Sequence, residues 1–340
     1  MRRGCSLEDY KQLRKSKSDV KALEDPIGLA AVICTRNRPH RLHRALLSLE
    51  EQVLPPDEII VVDNAPSDDA TGELVKNQFP KVRYIRELAE GLNFARNCAL
   101  VESNREIIAY LDDDAVADKG WVQSIRKVFK GNPEAGVCTG RILPLALETE
   151  AQRLFEENGG FSRGDVRICL PRDARNRLHG LRAPLIAWAV SVGCGCSFAV
   201  RRSVALSLGG FDNGLDMGSA MPGGGDLDMF WRVLTSGFSV IYEPEVLAWH
   251  EHRRELSAVF DQIVGHQRSL IAFLTKSIIC ARARIRLQIL AFLAWRLLKP
   301  GVRMIRRLVG RDPLPGYVIL RMWWNCWQGL KLYKSVRFSD

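Results

Sequence analysis

The sequence lacks a glycine-rich phosphate-binding loop after its first predicted strand. That strand covers residues 29–34 and continues into Thr35-Arg36-Asn37-Arg38-Pro39, which contains no glycine. The glycines of the dinucleotide-binding motif and of the P-loop let the backbone approach a phosphate closely, so both kinds of site need them. Their absence argues against a dinucleotide-dependent oxidoreductase and against a P-loop NTPase.

Long apolar runs and a patterned set of cysteines are also missing. The most apolar run of the C-terminal part, residues 285–295, contains Arg286 and ends at Arg296, well short of the roughly 20 residues that a membrane-spanning helix needs. Residues 1–21 contain no apolar segment, so we expect no secretory signal. Nine cysteines without metal-ligand spacing indicate reduced thiols in a cytosol-like compartment.

Positive charge is present but unevenly distributed. The 340 residues carry a net charge of +10. Residues 251–340 contain 17 Lys and Arg against 5 Asp and Glu, a net +12, so residues 1–250 sum to −2. The first part is therefore a near-neutral globular body, whereas the basic tail predicts a polyanionic partner, either a membrane or a nucleic acid.

Short apolar segments alternate with helical patterns along the body, which is typical of an α/β fold with a parallel sheet covered by helices on both faces. The predicted strands lie at residues 29–34, 58–62, 82–85, 107–111, 136–140, 191–200 and 238–242. Helices are predicted after each of the first three strands and again at residues 121–129, 203–208 and 226–234. Residues 145–185 show no clear pattern, so we expect them to be irregular.

The strand at residues 107–111 ends in three adjacent carboxylates, Asp112, Asp113 and Asp114. Ligands of open α/β sheets bind at the carboxyl ends of the strands, and three neighbouring acids repel one another unless a cation absorbs the charge. A hard divalent cation such as Mg²⁺ or Mn²⁺, shared with substrate phosphates, is the partner that this chemistry favours. A solvated acidic turn is the alternative.

Seven short motifs follow one another over about residues 29–254. They are Cys34-Thr35-Arg36-Asn37-Arg38, Val61-Val62-Asp63-Asn64, Gly91-Leu92-Asn93-Phe94-Ala95-Arg96-Asn97, Leu111-Asp112-Asp113-Asp114, Gly209-Gly210-Phe211-Asp212, Gly225-Asp226-Leu227-Asp228 and Tyr242-Glu243-Pro244, the last leading to His250. In this order they resemble the family 2 glycosyltransferases. The resemblance implies the GT-A fold of nucleotide-diphosphosugar transferases, with a Rossmann-like, mostly parallel central sheet.

The resemblance and the charge distribution together predict three parts: a polar N-terminal arm (1–27), a GT-A catalytic domain (28–255) and a region of basic amphipathic helices (256–340). Within the catalytic domain, residues 28–115 are expected to bind the nucleotide sugar and residues 116–255 the acceptor.

The resemblance implies a set of residues that bind the donor nucleotide. Asp63 would hydrogen-bond the base, commonly uracil, which predicts a UDP-sugar. Arg96 matches a family position near the donor, and a fixed guanidinium suits a diphosphate. The other predicted donor-binding residues are Thr35, Arg36, Asn64, Asp112 and Asp113. A turn or helix cap after the strand for Asp63 and an arginine on a helix surface for Arg96 are the structural alternatives.

A divalent metal, Mn²⁺ or Mg²⁺, is expected from the same resemblance. Asp112 and Asp114 match the family's Asp-x-Asp motif, in which the carboxylates hold the ribose or a metal-bound water and the cation between the two phosphates. His250 matches a position that completes the metal shell in some relatives, although a single His at a strand end is more often structural. The metal would neutralise charge on the leaving nucleoside diphosphate.

Asp226 matches the acid that deprotonates the acceptor hydroxyl in this family, so that the oxygen attacks the anomeric carbon in one displacement and inverts its configuration. The family commonly has Glu before this Asp, whereas this chain has Gly225. Asp228 could share the role of base, and Trp231 lies beside it in the predicted acceptor region. An Asp at the start of a helix is otherwise an ordinary N-cap.

The basic tail predicts helices that lie on an anionic membrane, because arginines and tryptophans on amphipathic helices suit the membrane interface. Helices that only pack against the catalytic body are the alternative. No RNA- or DNA-binding module is recognisable, so nucleic acid is not expected as a partner. The expected location is the cytoplasm, peripheral on the cytoplasmic face of the membrane.

Two other classes of function remain open. A sugar nucleotidyltransferase has a similar fold, but this sequence lacks that class's phosphate loop after the first strand. A catalytically silent nucleotide-binding or scaffold protein would have no reason to keep Asp112, Asp114 and Asp226 together. The Gln-x-x-Arg-Trp motif of processive synthases is absent, which predicts transfer of a single sugar, and by analogy the acceptor is a lipid-linked or cell-surface glycan.

Overall fold

A computed structural model of the protein describes residues 27–175, 178, 182–216, 218, 221 and 223–337. The predicted N-terminal arm therefore lies outside the described residues, except for Ile27. From Leu29 onward, strands and helices alternate as the sequence pattern predicts.

The first half of the chain forms four parallel strands, with a helix between each strand and the next. Its elements are β1 (Leu29–Thr35), α1 (Pro39–Glu50), β2 (Glu58–Asn64), α2 (Ala70–Gln78), β3 (Arg83–Glu87), α3 (Leu92–Glu102) and β4 (Ile107–Leu111). All five residues of β4 are buried, because a parallel strand covered by helices on both faces needs apolar side chains at every position.

The second half adds strands of both directions to the same sheet. Its elements are β5 (Ala115–Ala117), α4 (Trp121–Gly131), β6 (Ala135–Pro144), α5 (Glu150–Glu157), β7 (Ile168–Leu170), a 3₁₀ turn (Arg172–Arg175), α6 (Leu185–Ser191), β8 (Ser197–Arg201), α7 (Arg202–Ser207), α8 (Gly225–Thr235) and β9 (Ser239–His250). The strand order is β3-β2-β1-β4-β8-β6-β9-β5, with β7 beside β9. The predicted α/β class is confirmed.

Alternate residues of each central strand enter two hydrophobic cores, one on either face of the sheet. Ala30 and Val32 of β1 pack with the side of the sheet that carries α3 and α8. Ala31 and Ile33 pack on the other side, against α1 and α4. Because both faces are filled, the strand ends are the part of the sheet left open for a ligand.

Three predicted segments differ in the structure. The region 145–185 is not simply irregular: α5 begins with a capping box, in which Thr149 and Gln152 bond each other's backbone N–H groups. The predicted strand at 191–200 starts only at Ser197, because α6 extends to Ser191. The last strand runs unbroken through Pro244, where a bulge against β6 accommodates the proline.

Three long helices follow the sheet: α9 (Leu256–Cys280), α10 (Ala283–Leu308) and α11 (Gly316–Arg337). Helix α9 packs on the body, since Phe273 and Leu274 belong to its core and Lys276 forms ion pairs with Asp212 and Asp228 at 2.5 and 2.7 Å. Among the described residues, no helix combines the length and apolarity that crossing a membrane requires.

Candidate active site

A cavity of about 2310 Å³ opens at the carboxyl ends of β1, β2 and β4. Nine of the predicted site residues line it: Thr35, Arg36, Asn64, Arg96, Asp112, Asp113, Asp114, Asp226 and His250. The parallel register of β1, β2 and β4 brings their ends to one edge of the sheet. Four predicted site residues do not line the cavity, namely Asp63, Gly225, Asp228 and Trp231.

Asp113 is a buried residue of the cavity wall and is held by two donors. Its carboxylate accepts a hydrogen bond of 2.7 Å from the Thr35 hydroxyl and one of 3.2 Å from Arg38 Nη1. Burial raises the pKa of Asp113, and Asp114 raises it further, whereas Arg38 and Thr35 act in the opposite direction. These contacts fasten the end of β4 to the end of β1, which makes Asp113 a positioning residue in this structure.

Asp114 lies between a histidine and an arginine. His250 Nε2 is 3.2 Å from Asp114 Oδ1, and Arg41 Nη1 donates to Oδ2 at 3.1 Å. Although burial by itself raises the pKa of Asp114, the hydrogen bond and charge of His250 and the charges of Arg38 and Arg41 outweigh it, so the pKa falls below its ordinary value. Asp114 is therefore ionised.

Asp112 has the opposite electrostatic setting. Burial raises the pKa of its carboxyl group, and the negative charge of Asp114 raises it further, against the smaller opposing effects of Arg96 and His250. Two neighbouring carboxylates with pKa values pushed apart indicate a site with excess negative potential. A cation that bound here would favour the ionised form of Asp112.

His250 belongs to a chain of polar contacts that the sequence analysis missed. Its Nδ1 lies 3.0 Å from His252 Nδ1, and His252 Nε2 lies 2.7 Å from Glu156 Oε1 on α5. If His252 donates to Glu156 and accepts from His250, the protonated His250 ring donates from Nε2 to the Asp114 carboxylate, and the neutral ring offers the lone pair of Nε2 to a metal ion. A histidine held this way by an outer carboxylate is a common arrangement around metal ions.

Asp114 and His250 fit the metal that the resemblance implies. Their facing atoms are 3.2 Å apart, the spacing of two neighbouring ligands bound to one ion at roughly 2.1 Å. In the part of the chain that the structure describes, no third His, Cys, Asp or Glu side chain completes a metal cluster with them. Mg²⁺ and Mn²⁺ sites commonly take their remaining ligands from waters and substrate phosphates.

Arg96 lies at the centre of the site rather than on a helix surface. It is 4% exposed, its Nη1 is 3.3 Å from Asp216 Oδ2, and its guanidinium packs over the rings of Phe198 and Phe211. Burial alone lowers the pKa of Arg96, but Asp216, Asp226 and Asp112 together raise it. This arginine remains charged and connects the two halves of the site.

Asp216 is a second residue that the sequence analysis missed. It accepts a hydrogen bond of 2.7 Å from the backbone N–H of Gly225, and its backbone has a φ of 57°. A Cβ atom on Gly225 would overlap Asp216 Oδ2 and Asn93 Nδ2. Asp216 thus fills the space beside Asp226 where the family's glutamate would start, and the glycine at position 225 is the signal that could have revealed it.

Asp226 and Asp228 have different surroundings although both lie in the first turn of α8. Asp226 faces the cavity, next to Gly195, whose own Cβ would be 2.9 Å from Asp226 Oδ2. Asp228 is 1% exposed and forms ion pairs of 2.7 Å with both Arg232 and Lys276. Only Asp226 is placed to meet a substrate.

The predicted base-binding residues lie at the end of β2. Asp63 is fully buried, with Oδ2 accepting from the Tyr84 hydroxyl at 2.8 Å and Oδ1 without a hydrogen-bond partner. Asn64 faces the cavity and bonds the backbone of Ala89 and Gly91. Arg36, also on the cavity wall, pairs with Glu90. The roles of these residues stay predictions.

Known proteins with similar sequences carry glycosyltransferase or glycan-synthesis names. The chain is 27% identical over 239 residues to "Pre-mycofactocin glycosyltransferase" of Mycobacterium tuberculosis, covering 67% of this chain and 43% of that protein. It is 29% identical over 229 residues to "Succinoglycan biosynthesis protein ExoM" of Rhizobium meliloti, covering 64% and 65%. The chain therefore spans less than two thirds of the length of these relatives.

A solved structure has the same fold. "Mannosyltransferase PcManGT from Pyrobaculum calidifontis in complex with GDP-Man and Mn2+" superimposes with a TM-score of 0.59 at 17% identity, over 95% of this chain and 92% of that one. The family described as "Glycosyl transferase family 2" matches residues 30–209, more than half of the chain. The family predicted from the seven motifs is confirmed, and the chain belongs to glycosyl transferase family 2.

Proposed function

We propose that this family 2 glycosyltransferase is a metal-dependent, inverting enzyme that moves one sugar from a nucleotide-diphosphate sugar to a hydroxyl group of its acceptor. One observation carries the proposal. Asp226 lines the same cavity as Asp112 and Asp114, and the buried guanidinium of Arg96 interacts electrostatically with both Asp226 and Asp112. A base and a site for a leaving diphosphate therefore face one space.

Asp226 supplies the base. Its half-buried carboxylate stands at the N-terminus of α8, and Gly195 leaves room beside it for an acceptor hydroxyl. As the acceptor oxygen forms its bond to the anomeric carbon, its proton passes to Asp226 and the bond to the diphosphate breaks. A positioned general base of this kind contributes about 10²–10⁴ in rate. Attack from the side opposite the leaving group inverts the anomeric configuration.

Asp114 and His250, with Asp112 nearby, would hold the divalent metal, which when bound supplies positive charge to the leaving diphosphate. Arginines of the protein add further positive charge near the diphosphate. Arg38 and Arg41 are half exposed at 49% and 41%, so their guanidinium groups can turn from the aspartates towards phosphate oxygens. Arg96 is fixed by Asp216 and supplies a positive charge on the interior side of the site.

The nucleotide base is expected at the end of β2, where Asn64 lines the cavity and Asp63 is buried and accepts a hydrogen bond from Tyr84. The family resemblance favours uracil as this base. The mannosyltransferase of similar fold was solved in complex with GDP-Man, so guanine is the base against which uracil must be compared.

We further propose that α10 and α11 rest on an anionic membrane, at the cytoplasmic face. Exposed apolar side chains recur at helical spacing on α10, at Leu287, Leu298, Val302 and Ile305, and directly after it at Val309. Exposed arginines flank this stripe, and Trp323, Trp324 and Trp327 of α11 are also exposed. An apolar stripe bordered by arginines and tryptophans complements the interface of an anionic bilayer.

The transferase proposal is tested by measuring nucleoside diphosphate release from a panel of UDP-, GDP-, ADP- and dTDP-sugars, with Mn²⁺, with Mg²⁺ and with chelator. We expect one donor to be turned over only with metal. Asp226→Asn should bind that donor normally but turn it over about 10²–10⁴ times more slowly, whereas Asp114→Ala should lose metal-dependent donor binding. Asp261→Asn is the matched control, since Asp261 lines the cavity on α9 and pairs with Arg321.

Two results would overturn the proposal. Pyrophosphate release from a nucleoside triphosphate and a sugar phosphate would assign the protein to the nucleotidyltransferases. Absence of binding and turnover for every donor, with the protein folded, would favour a scaffold. Sedimentation with vesicles of phosphatidylcholine alone or mixed with phosphatidylglycerol tests the membrane proposal separately: binding should need the anionic lipid and weaken in Trp324→Ser.

A further inference from the structure

The cavity is larger than a nucleotide sugar requires. Its volume of about 2310 Å³ exceeds the roughly 300–1,000 Å³ that is usual for a small-molecule site. The excess lies away from the sheet edge, where the walls are formed by α9, α10 and α11, with Gln267, Trp295 and Asn325 among the lining residues. A second ligand group can therefore occupy this end.

The cations at the two ends of the cavity differ in their partners. At the sheet edge Arg36, Arg38 and Arg96 pair with carboxylates, whereas the face of α10 that lines the cavity contributes Arg296 and Lys299. Arg296 donates from Nη2 to Gln267 Oε1 at 2.7 Å, but its Nε is buried and has no partner. Among the described residues, no carboxylate forms an ion pair with Arg296 or Lys299, although both side chains are half-buried.

The nearest acid is already engaged. Asp312 forms two hydrogen bonds with Arg303, of 2.7 and 2.8 Å. Burial and the charges of Arg296, Arg303 and Arg306 together lower the pKa of Lys299 to about 8, and Asp312 opposes them only in part. Burial likewise lowers the pKa of Arg296 to about 10. Two half-buried cations without a counter-ion are costly, and an anion between them would relieve that cost.

We infer that Lys299 and Arg296 bind a phosphate group carried by the acceptor, so that the acceptor is a phosphate- or diphosphate-bearing amphiphile whose sugar or hydroxyl end reaches Asp226. This inference rests on the proposed function. Trp295 lines the cavity beside the two cations and is 50% exposed, and the apolar stripe lies on the same helix. An acyl or prenyl chain leaving the phosphate would therefore meet an apolar, membrane-facing surface.

The test uses the full chain, chelator to exclude metal-bridged phosphate, and three probes: decyl phosphate below its micelle-forming concentration, decyl glucoside, and inorganic phosphate. We expect titration calorimetry to detect binding of decyl phosphate, with the other two probes at least tenfold weaker. Lys299→Gln should weaken the binding of decyl phosphate about tenfold, because one charge-assisted hydrogen bond is lost. Lys299→Arg should retain the binding. Arg284→Gln, an exposed α10 change outside the cavity, is the charge-matched control.

Proton uptake gives a second readout. A bound phosphate raises the pKa of Lys299, so binding at about pH 8.5 should take up protons, seen as a buffer-dependent binding enthalpy. This uptake should vanish in Lys299→Gln and persist in Arg284→Gln.

Equal weakening by both substitutions, no effect of Lys299→Gln, or equally tight decyl glucoside would overturn the inference. Equally tight inorganic phosphate would assign the site to a free anion and also overturn it. Because the assay needs no sugar transfer, absence of decyl phosphate binding with intact donor turnover would overturn only this inference. Binding of decyl phosphate without turnover of any donor would overturn only the proposed function.

Discussion

Arg96 and Asp216 form an ion pair inside the protein: Nη1 and Oδ2 are 3.3 Å apart, and the two side chains are 5% and 6% exposed. Arg96 comes from α3 in the first half of the chain, and Asp216 lies just before α8 in the second. The pair therefore joins the half predicted to bind the donor to the half that carries Asp226.

Loss of this arginine should be costly for stability. Arg96→Gln leaves the Asp216 carboxylate buried without its partner, and we expect the free energy of unfolding to fall by about 3 kcal/mol. Arg83→Gln is the matched control, because Arg83 pairs with Glu58 and Glu102 while 43% exposed, and should cost about 0–1 kcal/mol. Urea unfolding of both variants measures the difference. Equal losses of unfolding free energy would mean that the buried Arg96–Asp216 pair matters no more for stability than the exposed pairs of Arg83.

Asp216 should also make stability depend on pH. Burial and the charge of Asp226 raise its pKa to about 6 against the opposing effect of Arg96. The unfolded chain has an ordinary pKa near 4, so the folded state holds this proton more tightly, and stability falls as pH rises from about 4 to about 6. Asp216→Asn has no titratable carboxyl group at this position. Its stability relative to wild type should therefore rise by about 2 kcal/mol over this interval, and a constant difference would contradict the assignment.

Gly225 should tolerate no side chain. Gly225→Ala would drive its Cβ into Asp216 and Asn93, and overpacking of this kind costs about 1–3 kcal/mol. Because Asp226 is the next residue, donor turnover should fall as well. Gly131→Ala is the control: no atom lies within 4 Å of its added Cβ, so that variant should be as stable as wild type or more so. Thermal unfolding and donor turnover distinguish the two.

Local pattern was enough to predict the sheet edge. The apolar run of β4 followed by three aspartates is the pattern of a strand whose two faces are covered and whose carboxyl end is open. Strands β1 and β2 show the same pattern, because they too end in polar residues. The helices of the tail were predicted equally well, since residues 256–308 and 316–337 contain few breaks in the helical pattern.

Contacts between distant segments were not predictable in the same way. Glu156 meets His252 across 96 positions, and Asp216 meets Arg96 across 120; nothing local in either sequence marks the partner. Helix α5 was missed although Thr149-x-x-Gln152 is a capping-box pattern, because its neighbourhood is rich in Gly and Arg. Arg38 and Arg41 look like surface arginines until the fold brings them to Asp113 and Asp114.

The chain from His250 through His252 to Glu156 leads to a prediction about metal affinity. If Asp114 and His250 hold the metal, His252 fixes the orientation of the His250 ring, and losing such an outer contact typically weakens metal binding about 10–100-fold. His252→Ala should therefore weaken Mn²⁺ binding in the presence of nucleoside diphosphate by this factor, measured by electron paramagnetic resonance. Glu156→Gln, which keeps an acceptor but loses the charge, should have a smaller effect in the same direction. His40→Ala, an exposed position on α1, should bind Mn²⁺ as wild type does, and wild-type affinity in His252→Ala as well would show that the chain plays no part in holding a metal.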